Sequence, residues 1–414
     1  MIGRRRDNPT REVVRLEGHI IDSLLLPKVL DLILREQGRF RIVAIEIGQR
    51  PADPSWAEIE VEADDERRLD LILQKITPHG AAPTVQQDCE LAAADRDGCF
   101  PDDFYSTTNL PTEVRVQGRW LAVGELEMDC GVVVDRGTMQ ARCVPMHRVR
   151  VGQEVVVGRR GVRVQPLERR MDDPASFKFM NSAVSSERPK GVSVRDIAEC
   201  LRQTRSMKQK VLVVGGPAIV HTGAGEHLCR LIRDDYVQVL FAGNALAAHD
   251  IEQAFFRTSL GVHLDRGVPL DEGHQHHLRA INRIRRIGGI RQAVEQGVLT
   301  SGIMYECVTR GVDFVLAGSI RDDGPLPDVV TDTVEAVERM RALREGVGFC
   351  LMIATMLHSV ATGNILPAHV RCACVDINPA TVTKLADRGT SQSLGIVTDV
   401  EPFLRALVLE LLGD

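Results

Sequence analysis

The sequence predicts an α/β fold whose C-terminal half is a doubly wound parallel sheet, and three observations carry that reading. First, five apolar runs occur there: KVLVVGG (Lys210–Gly216), VQVLFAGNA (Val237–Ala245), VDFVLAGSIRDD (Val312–Asp323), FCLMIATMLH (Phe349–His358) and VRCACVDIN (Val370–Asn378), with a shorter sixth, LGIVTDV (Leu394–Val400). Unbroken β-branched and aliphatic runs of this length fit strands covered on both faces. Second, helical stretches separate several of the runs, which makes the sheet parallel. Third, each run breaks off into polar or small residues. In such sheets the ligand lies outside the carboxyl ends of the strands. The strand ends therefore nominate Asn244, Asp323, Thr355, His358, Asp376 and Asp399 as site residues.

The N-terminal half reads as two smaller regions. Over residues 1–84, EVVRLEGHI, FRIVAIEIG and AEIEVEA alternate as strands. SLLLPKVLDLILREQ, with Pro27 near its start, and DERRLDLILQKI have helical spacing. The order β-α-β-β-α suggests a ferredoxin-like α+β domain, with Pro51–Pro54 as the turn between its two central strands. Residues 85–190 are rich in Gly, Val and Arg. Their short runs TEVRVQG, RWLAVGE, CGVVVD and GQEVVVGRRGVRVQP read as a small antiparallel sheet or barrel, and 171–190 as a linker. Residues 191–414 form the sheet domain. It opens on the helix SVRDIAECLRQTRSM, with Ser193 as cap and Asp196 at the capping-box position.

Composition narrows the function. The chain has 414 residues, enough for two or three domains of roughly 150 residues, with 44% hydrophobic and 26% charged residues and a net charge of -6. No concentrated basic run is present, which argues against a nucleic-acid partner. No apolar stretch reaches the roughly 18–20 residues of a membrane span, so a cytoplasmic protein is expected. The ten cysteines include no CxxC pair and several lie within apolar runs, so packing rather than disulfides or metal is expected of them.

Several motifs bear chemistry. VLVVGGPAIVHTGAG (Val211–Gly225) places a glycine turn after a buried strand, the arrangement in which a backbone approaches a phosphate. It departs from the dinucleotide fingerprint because Pro217 follows the glycines, a helix is expected only near Gly225, and Asn244 rather than an acid ends the next strand. An acid does close the run VRCACVD. Asp376 is placed to hold ribose hydroxyls, while Asn378–Pro379 supplies the cap and first turn of the following helix. Together these indicate a Rossmann-like domain. The preceding TMLH offers small and apolar residues for a wall, and His358 is either a core histidine or a site residue. SIRDDGPLPD sets Arg321, Asp322 and Asp323 in a loop that is either an Asp-Gly turn or part of the site. HQHHLRAIN (His274–Asn282) has no acidic ligand nearby in sequence and reads as a solvated helix start rather than a metal site. In the N-terminal half, CFPDDFYSTTNLPTEV packs Asp102, Asp103, Tyr105, Ser106, Thr107, Thr108 and Asn109 together, as a structural polar turn or a site. Cys130 in EMDCGVVVD has no base at local spacing, so packing is expected.

FPDDFYSTTN, MDC, GPAIVHTGAG, AGNALAAHDIE, GHQHHLRAIN, VLTSGIMYE, VLAGSIRDDGPLPD, TMLHS, LPAHV, CVDINPATVTKL and GIVTDV together resemble the archaeal-type ornithine cyclodeaminases, a family long labelled a lysine-ketoglutarate reductase/saccharopine dehydrogenase conserved region. The resemblance extends to the C-terminal part of bifunctional arginine-catabolic enzymes and runs from about residue 10 to the end. It implies NAD as cofactor and conversion of L-ornithine to L-proline and ammonia. It also implies NAD contacts at Asn244 and Ala245, Asp323, Thr355, Met356, Leu357 and His358, Asp376, and Asp399 with Val400. No catalytic acid or base follows from it. Asp322, or Asp102 and Asp103 if their domain closes over the sheet edge, are candidates for handling amine protons, and Arg321 for the substrate carboxylate. No metal is expected. The expected partners are a small amino-acid substrate and further copies of the chain, not nucleic acid or membrane. Two other readings stay open: a net saccharopine-type dehydrogenase, and a non-catalytic sensor of NAD or amino acids.

Overall fold

The computed structural model describes residues 10–21, 24–50, 53–84, 87–165, 190–259, 262–263, 275–322, 324–387 and 393–413. The chain forms two compact units, Met1–Phe177 with Asn364–His369 and Lys178–Gly363 with Val370–Asp414.

The first unit holds two sheets. Strands β1 (Thr10–Gly18), β2 (Arg39–Glu46), β3 (Ser55–Ala63) and β4 (Ala82–Pro83) form one in the order β2-β3-β1-β4. Helices Leu25–Arg35 and Glu66–Ile76 follow β1 and β3. This is the ferredoxin-like arrangement, with β2 on the edge rather than in the centre. Strict alternation in β3, buried at every odd position from Ser55, puts one face beside Val14 and Leu16 of β1 in the cluster that holds Ile33 and Ile72 of the two helices. Asp65 caps the second helix by accepting from Arg68 N at 2.8 Å.

The second sheet has seven strands: β5 (Glu90–Ala93), β6 (Thr112–Val116), β7 (Arg119–Gly124), β8 (Gly131–Asp135), β9 (Gln140–Val144), β10 (Glu154–Val157) and β11 (Val162–Val164), in the order β11-β6-β7-β9-β8-β10-β5. All its pairs are antiparallel except β7–β9, which is parallel. The Val-rich runs thus become strands as expected, but the parallel pair departs from a purely antiparallel sheet.

The second unit is built on a parallel sheet. Its strands are β12 (Lys210–Gly215), β13 (Val239–Gly243), β16 (Asp313–Ala317), β17 (Val329–Val330), β18 (Val347–Ile353), β19 (Arg371–Asp376) and β20 (Ser393–Val397). A small antiparallel pair, β14 (Thr258–Ser259) and β15 (Val262–His263), lies apart. The order is β17-β16-β13-β12-β18-β19-β20 and every pair is parallel. Omitting the edge strand β17, this is the 3-2-1-4-5-6 order of doubly wound dinucleotide folds, with the switch point between β12 and β18. The inner strands are buried almost throughout, as their unbroken apolar runs predict.

Three local expectations change. The first helix of this unit begins at Lys190, so Ser193 lies inside its first turn rather than at its cap. The Phe349–His358 run does not remain strand to its end: β18 stops at Ile353 and a helix, Met356–Ile365, begins. A short helix, Ala218–His221, precedes the one that starts at Gly225. All ten cysteines are free thiols. Among the described residues no helix is long and apolar enough to cross a membrane.

Candidate functional site

The glycine turn after β12 sits at the switch point. Gly216 N donates to Ile353 O at 2.9 Å, and a Cβ on Gly216 would lie 1.9 Å from the Ala354 carbonyl oxygen. A Cβ on Gly215 would meet Leu246 Cδ1 at 2.8 Å. These glycines let two loops and a helix close on one another, a demand met before any ligand is considered. Directly after β18, Ala354 holds φ 51°. A left-handed alanine costs of order 1 kcal/mol, and such strain concentrates at functional sites.

At the next tip, β13 passes into the helix Asn244–Phe256 without a loop. Its cap position is Gly243, which offers no side chain to the first-turn amides. The buried Asn244 side chain accepts from Leu326 N at 3.1 Å, pinning the loop after β16. Gly243 also admits His358: a Cβ there would stand 3.0 Å from His358 Cε1. His358 therefore belongs to the first turn of the helix after β18 and reaches over to β13. Burial lowers its pKa, with the charge of Asp322 acting in the opposite direction.

The loop after β16 is a hydrogen-bonded turn. Asp322 accepts from Ser319 N at 2.8 Å, and the Ser319 hydroxyl accepts from Arg321 N at 3.2 Å. Asp322 thus has a structural duty beside its charge on His358, and Arg321 is exposed. Asp323 lies outside the described residues.

Asp376 closes β19, buried, and one oxygen accepts from Asn378 N at 2.8 Å. The Asn378 side chain accepts from Ala380 N at 3.0 Å, so it supplies the helix-start bond and Asp376 is not needed for that. Asp399 differs. It is the cap of the helix Val400–Leu412, accepting from Glu401 N at 3.4 Å, while the side chain of Val400 is buried in the core. Thr355 accepts the Ser359 hydroxyl through its carbonyl.

A further feature of the tips, which polar residues alone do not signal, is apolar. Leu357 is 76% exposed and Ile377 70% exposed, and Ile320 is fully exposed. Each stands at a strand tip, after β18, β19 and β16. Three large aliphatic side chains left bare among polar ones at one sheet end make a surface suited to flat rings. For Ile377 and Ile320 the signature in the sequence is an apolar residue beside an acidic tip; Leu357 adjoins His358 instead.

The polar loop of the first unit is structural in build. The Thr107 hydroxyl donates to Glu127 O at 2.6 Å and accepts from Cys130 N at 3.1 Å. The Asn109 side chain donates to Leu366 O at 3.4 Å, and Asn109 O accepts from Ala368 N at 3.0 Å. Cys130 is buried, with its thiol 3.5 Å from Met128 O. Asp102 and Asp103 are exposed and line a cleft of about 1930 Å³ that lies wholly within the first unit, beside Tyr105, Arg159 and Trp120. No residue of the second unit's strand tips lines this cleft.

The histidine run is not a solvated helix start. His276 and His277 open the helix His276–Ile287 half-buried, and Thr258 Oγ1 lies 2.9 Å from His276 Nδ1 while its hydroxyl donates to the Glu252 carboxylate at 2.9 Å. A carboxylate does stand nearby, brought in from another helix. His274 lies outside the described residues. Among the described residues no group of three or more His, Cys, Asp or Glu is arranged to hold a metal.

Comparison with known proteins agrees with this architecture. Residues 195–407 match the family of arginine dihydrolase ArgZ-like C-terminal Rossmann-fold domains, 111–194 the first region of the same C-terminal part, and 11–110 the LOR/SDH bifunctional enzyme conserved region. The ornithine cyclodeaminase of Methanothermobacter thermautotrophicus is 53% identical over 410 residues, covering 98% of this chain and 100% of the relative. The chain belongs to the archaeal-type ornithine cyclodeaminase family. Two crystal structures extend the likeness. Apo ArgZ, an arginine dihydrolase from the ornithine–ammonia cycle in cyanobacteria, superposes with a TM-score of 0.85 at 41% identity over 97% of this chain. AgrE in a ternary complex with ornithine and NAD+ matches with a TM-score of 0.53 at 42% identity over 97% of this chain. This chain spans 58% and 57% of those two longer chains. For an ornithine cyclodeaminase fold, then, the strand tips of the second unit are the part built like a dinucleotide site.

Proposed function

We propose that this protein is an ornithine cyclodeaminase, converting L-ornithine to L-proline and ammonia with NAD as a recycled cofactor. The observation that carries the reading is the 53% identity across the whole of an ornithine cyclodeaminase. The second unit fits the cofactor: a switch point between β12 and β18, a buried acid closing β19, uncapped amides at Asn244, and bare Leu357 and Ile377.

When bound there, NAD supplies a reversible hydride acceptor for the amino-bearing carbon, so it is not consumed. Asp376 holds ribose hydroxyls. Asn244 and Ala245 line the tip of β13, Thr355, Met356, Leu357 and His358 the tip of β18, Asp323 the loop after β16, and Asp399 with Val400 the tip of β20. Asp322 acts through His358, whose imidazole stays neutral near pH 7 because burial lowers its pKa. Arg321 is exposed for a substrate carboxylate. The exposed Asp102 and Asp103 belong to the first unit's cleft and remain alternative candidates for amine contacts.

The reading places the protein in the cytoplasm, in proline formation from ornithine released by arginine catabolism. It also favours a homo-oligomer. The edge strand β2 leaves Ile42, Val43 and Ile45 exposed, a row that a partner copy would cover. Light scattering during size exclusion checks the mass.

The reaction is tested with label. Ornithine and catalytic NAD are expected to give proline and ammonia in equal amounts without steady accumulation of NADH absorbance. Ornithine deuterated at Cα is expected to give proline that keeps deuterium at Cα. NADH produced in step with product would identify a net dehydrogenase instead, and the absence of any product would point to a sensor.

A further inference from the structure

Helix Asn244–Phe256 carries two buried carboxylates that do different work. Asp250 accepts from Ile303 N at 2.7 Å and Met304 N at 2.8 Å, closing the start of the helix Ile303–Arg310. Burial pushes its pKa up to about 6 against those two bonds. Its role is complete within the fold. Glu252, 0% exposed, points to a different set of groups. One oxygen lies 2.8 Å from His249 Nδ1, and the other accepts the Thr258 hydroxyl at 2.9 Å.

The protons on this chain of bonds can be assigned. The single hydroxyl proton of Thr258 goes to Glu252, so toward His276 Nδ1 the same oxygen acts as acceptor and His276 donates. An ionised Glu252 accepts from His249 Nδ1–H, which leaves the lone pair of His249 on Nε2. The His249 side chain is 12% exposed, so it borders solvent while its carboxylate does not. His221, at the end of the short helix after β12, stands edge-on to His249 with ring centroids 4.7 Å apart. The His277 ring centroid lies 6.0 Å from that of His249. His221 is held near pKa 4 by burial and by the His249 charge, so it is neutral at pH 7.

The position suits a role at the strand tips. The two helices leave the carboxyl ends of the adjacent strands β12 and β13, and His249 is five residues from Asn244, about 7.5 Å of helical rise. Asp376, the acid suited to ribose, closes β19 on the other side of the switch point.

We propose that His249 is the acid–base residue for the amine of ornithine, with Glu252 as its positioning residue. The inference rests on the ornithine cyclodeaminase reading. His249 Nε2 takes one proton from the α-ammonium group, giving a neutral amine and an imidazolium paired with Glu252. After the δ-amine, its surplus protons released to solvent, has bonded to Cα, His249 returns one proton to the α-nitrogen; the Cα–nitrogen bond broken as ammonia leaves is replaced by the ring bond, and the residue ends as it began. A carboxylate-backed imidazole that keeps 12% of its side chain exposed is suited to both steps, since Glu252 stabilises the imidazolium that forms.

The test uses the full chain with NAD. His249→Gln is expected to fold with an unchanged melting temperature and to lose about 10²–10⁴-fold in kcat. Glu252→Gln removes the charge that favours imidazolium, so the acidic limb of the pH profile moves to lower pH and kcat falls by less. A merely structural Glu252 would lower activity without moving that limb. The titratable groups facing His249 from neighbouring elements are His221 and His277, and His276 is linked to it through Thr258 and Glu252. Glu306, on the packed helix Ile303–Arg310, is already paired with Arg233. A readout without turnover comes from nitrogen-15 histidine spectra of the protein free of cofactor: ornithine is expected to shift the His249 Nε2 signal, and an unmoved signal overturns the proposal even if the Gln variant fails to fold. Wild-type protein that makes no proline sinks the cyclodeaminase reading and this proposal with it. Wild-type turnover with His249→Gln within about threefold of it sinks the proposal alone.

Discussion

The polar loop around Thr107 in the first unit and the strand tips of the second unit have similar compositions, and they are built in opposite ways. Both are dense in Asp, Thr and Asn. In the Thr107 loop the side chains of Thr107 and Asn109 are buried and spent on main-chain partners. At the tips of β18 and β19, polar groups stand next to Leu357 and Ile377, which the fold leaves bare. Polar density therefore does not distinguish a site from a structural turn. What distinguishes them is whether the neighbouring apolar surface has been covered, because a structural turn satisfies itself and a site leaves part of its surface for something else.

The largest effect expected from that difference is on stability. Thr107→Ala strips a buried hydroxyl that serves Glu127 O and Cys130 N, leaving both with a bond to replace. The cost is about 3 kcal/mol, the scale of two unsatisfied buried groups. Urea unfolding measures it, and NAD affinity of the folded fraction is expected to stay unchanged. Asp376→Ala is the mirror case. NAD binding is expected to weaken by about 2 kcal/mol, the scale of bonds to a charged group, with little change in unfolding free energy. Calorimetric titration measures the first quantity. An Asp376 variant that loses stability and keeps its NAD affinity would erase the contrast. NADP is expected to bind poorly to the wild type, since an acid there repels a 2′-phosphate.

The sequence discloses the sheet well and the site unevenly, for physical reasons. Strands β12, β18 and β19 are legible because burial on both faces leaves no room for polar residues. The end of β18 is not, because Met356 and Leu357 continue its apolar run into a helix. Apolar side chains at a tip read as more strand even where one of them, Leu357, is left exposed. Asp376 is legible from its place at the end of a buried run. The parallel pair β7–β9 is set by tertiary pairing and has no local signal. The cluster of His221, His249, Glu252 and His276 is drawn from three separate helices and a strand-end threonine, so no single window contains it. Only the His249–Glu252 spacing of three, which puts both on one helix face, is a local signal of it.

Asp399 gives the smallest effect and the sharpest line through the comparison. It stands at a strand tip like Asp376, yet its oxygen accepts from Glu401 N as a helix cap. The helix it starts buries Phe403, Leu404 and Leu407, so its loss is felt in the core. At 3.4 Å the bond is long, which puts Asp399→Ala near the lower half of the range for a lost cap, about 1 kcal/mol. Asp399→Asn keeps a cap oxygen and removes the charge, so it is expected to restore the stability that alanine loses. The two variants separate the two duties. If Asp399 serves only the helix, asparagine restores stability and NAD affinity never changes. If it also holds the cofactor through its charge, asparagine restores stability while NAD affinity stays reduced in both variants. Equal loss of stability in both would mean that the carboxylate's charge on the helix start, rather than its hydrogen bond, is what the fold uses.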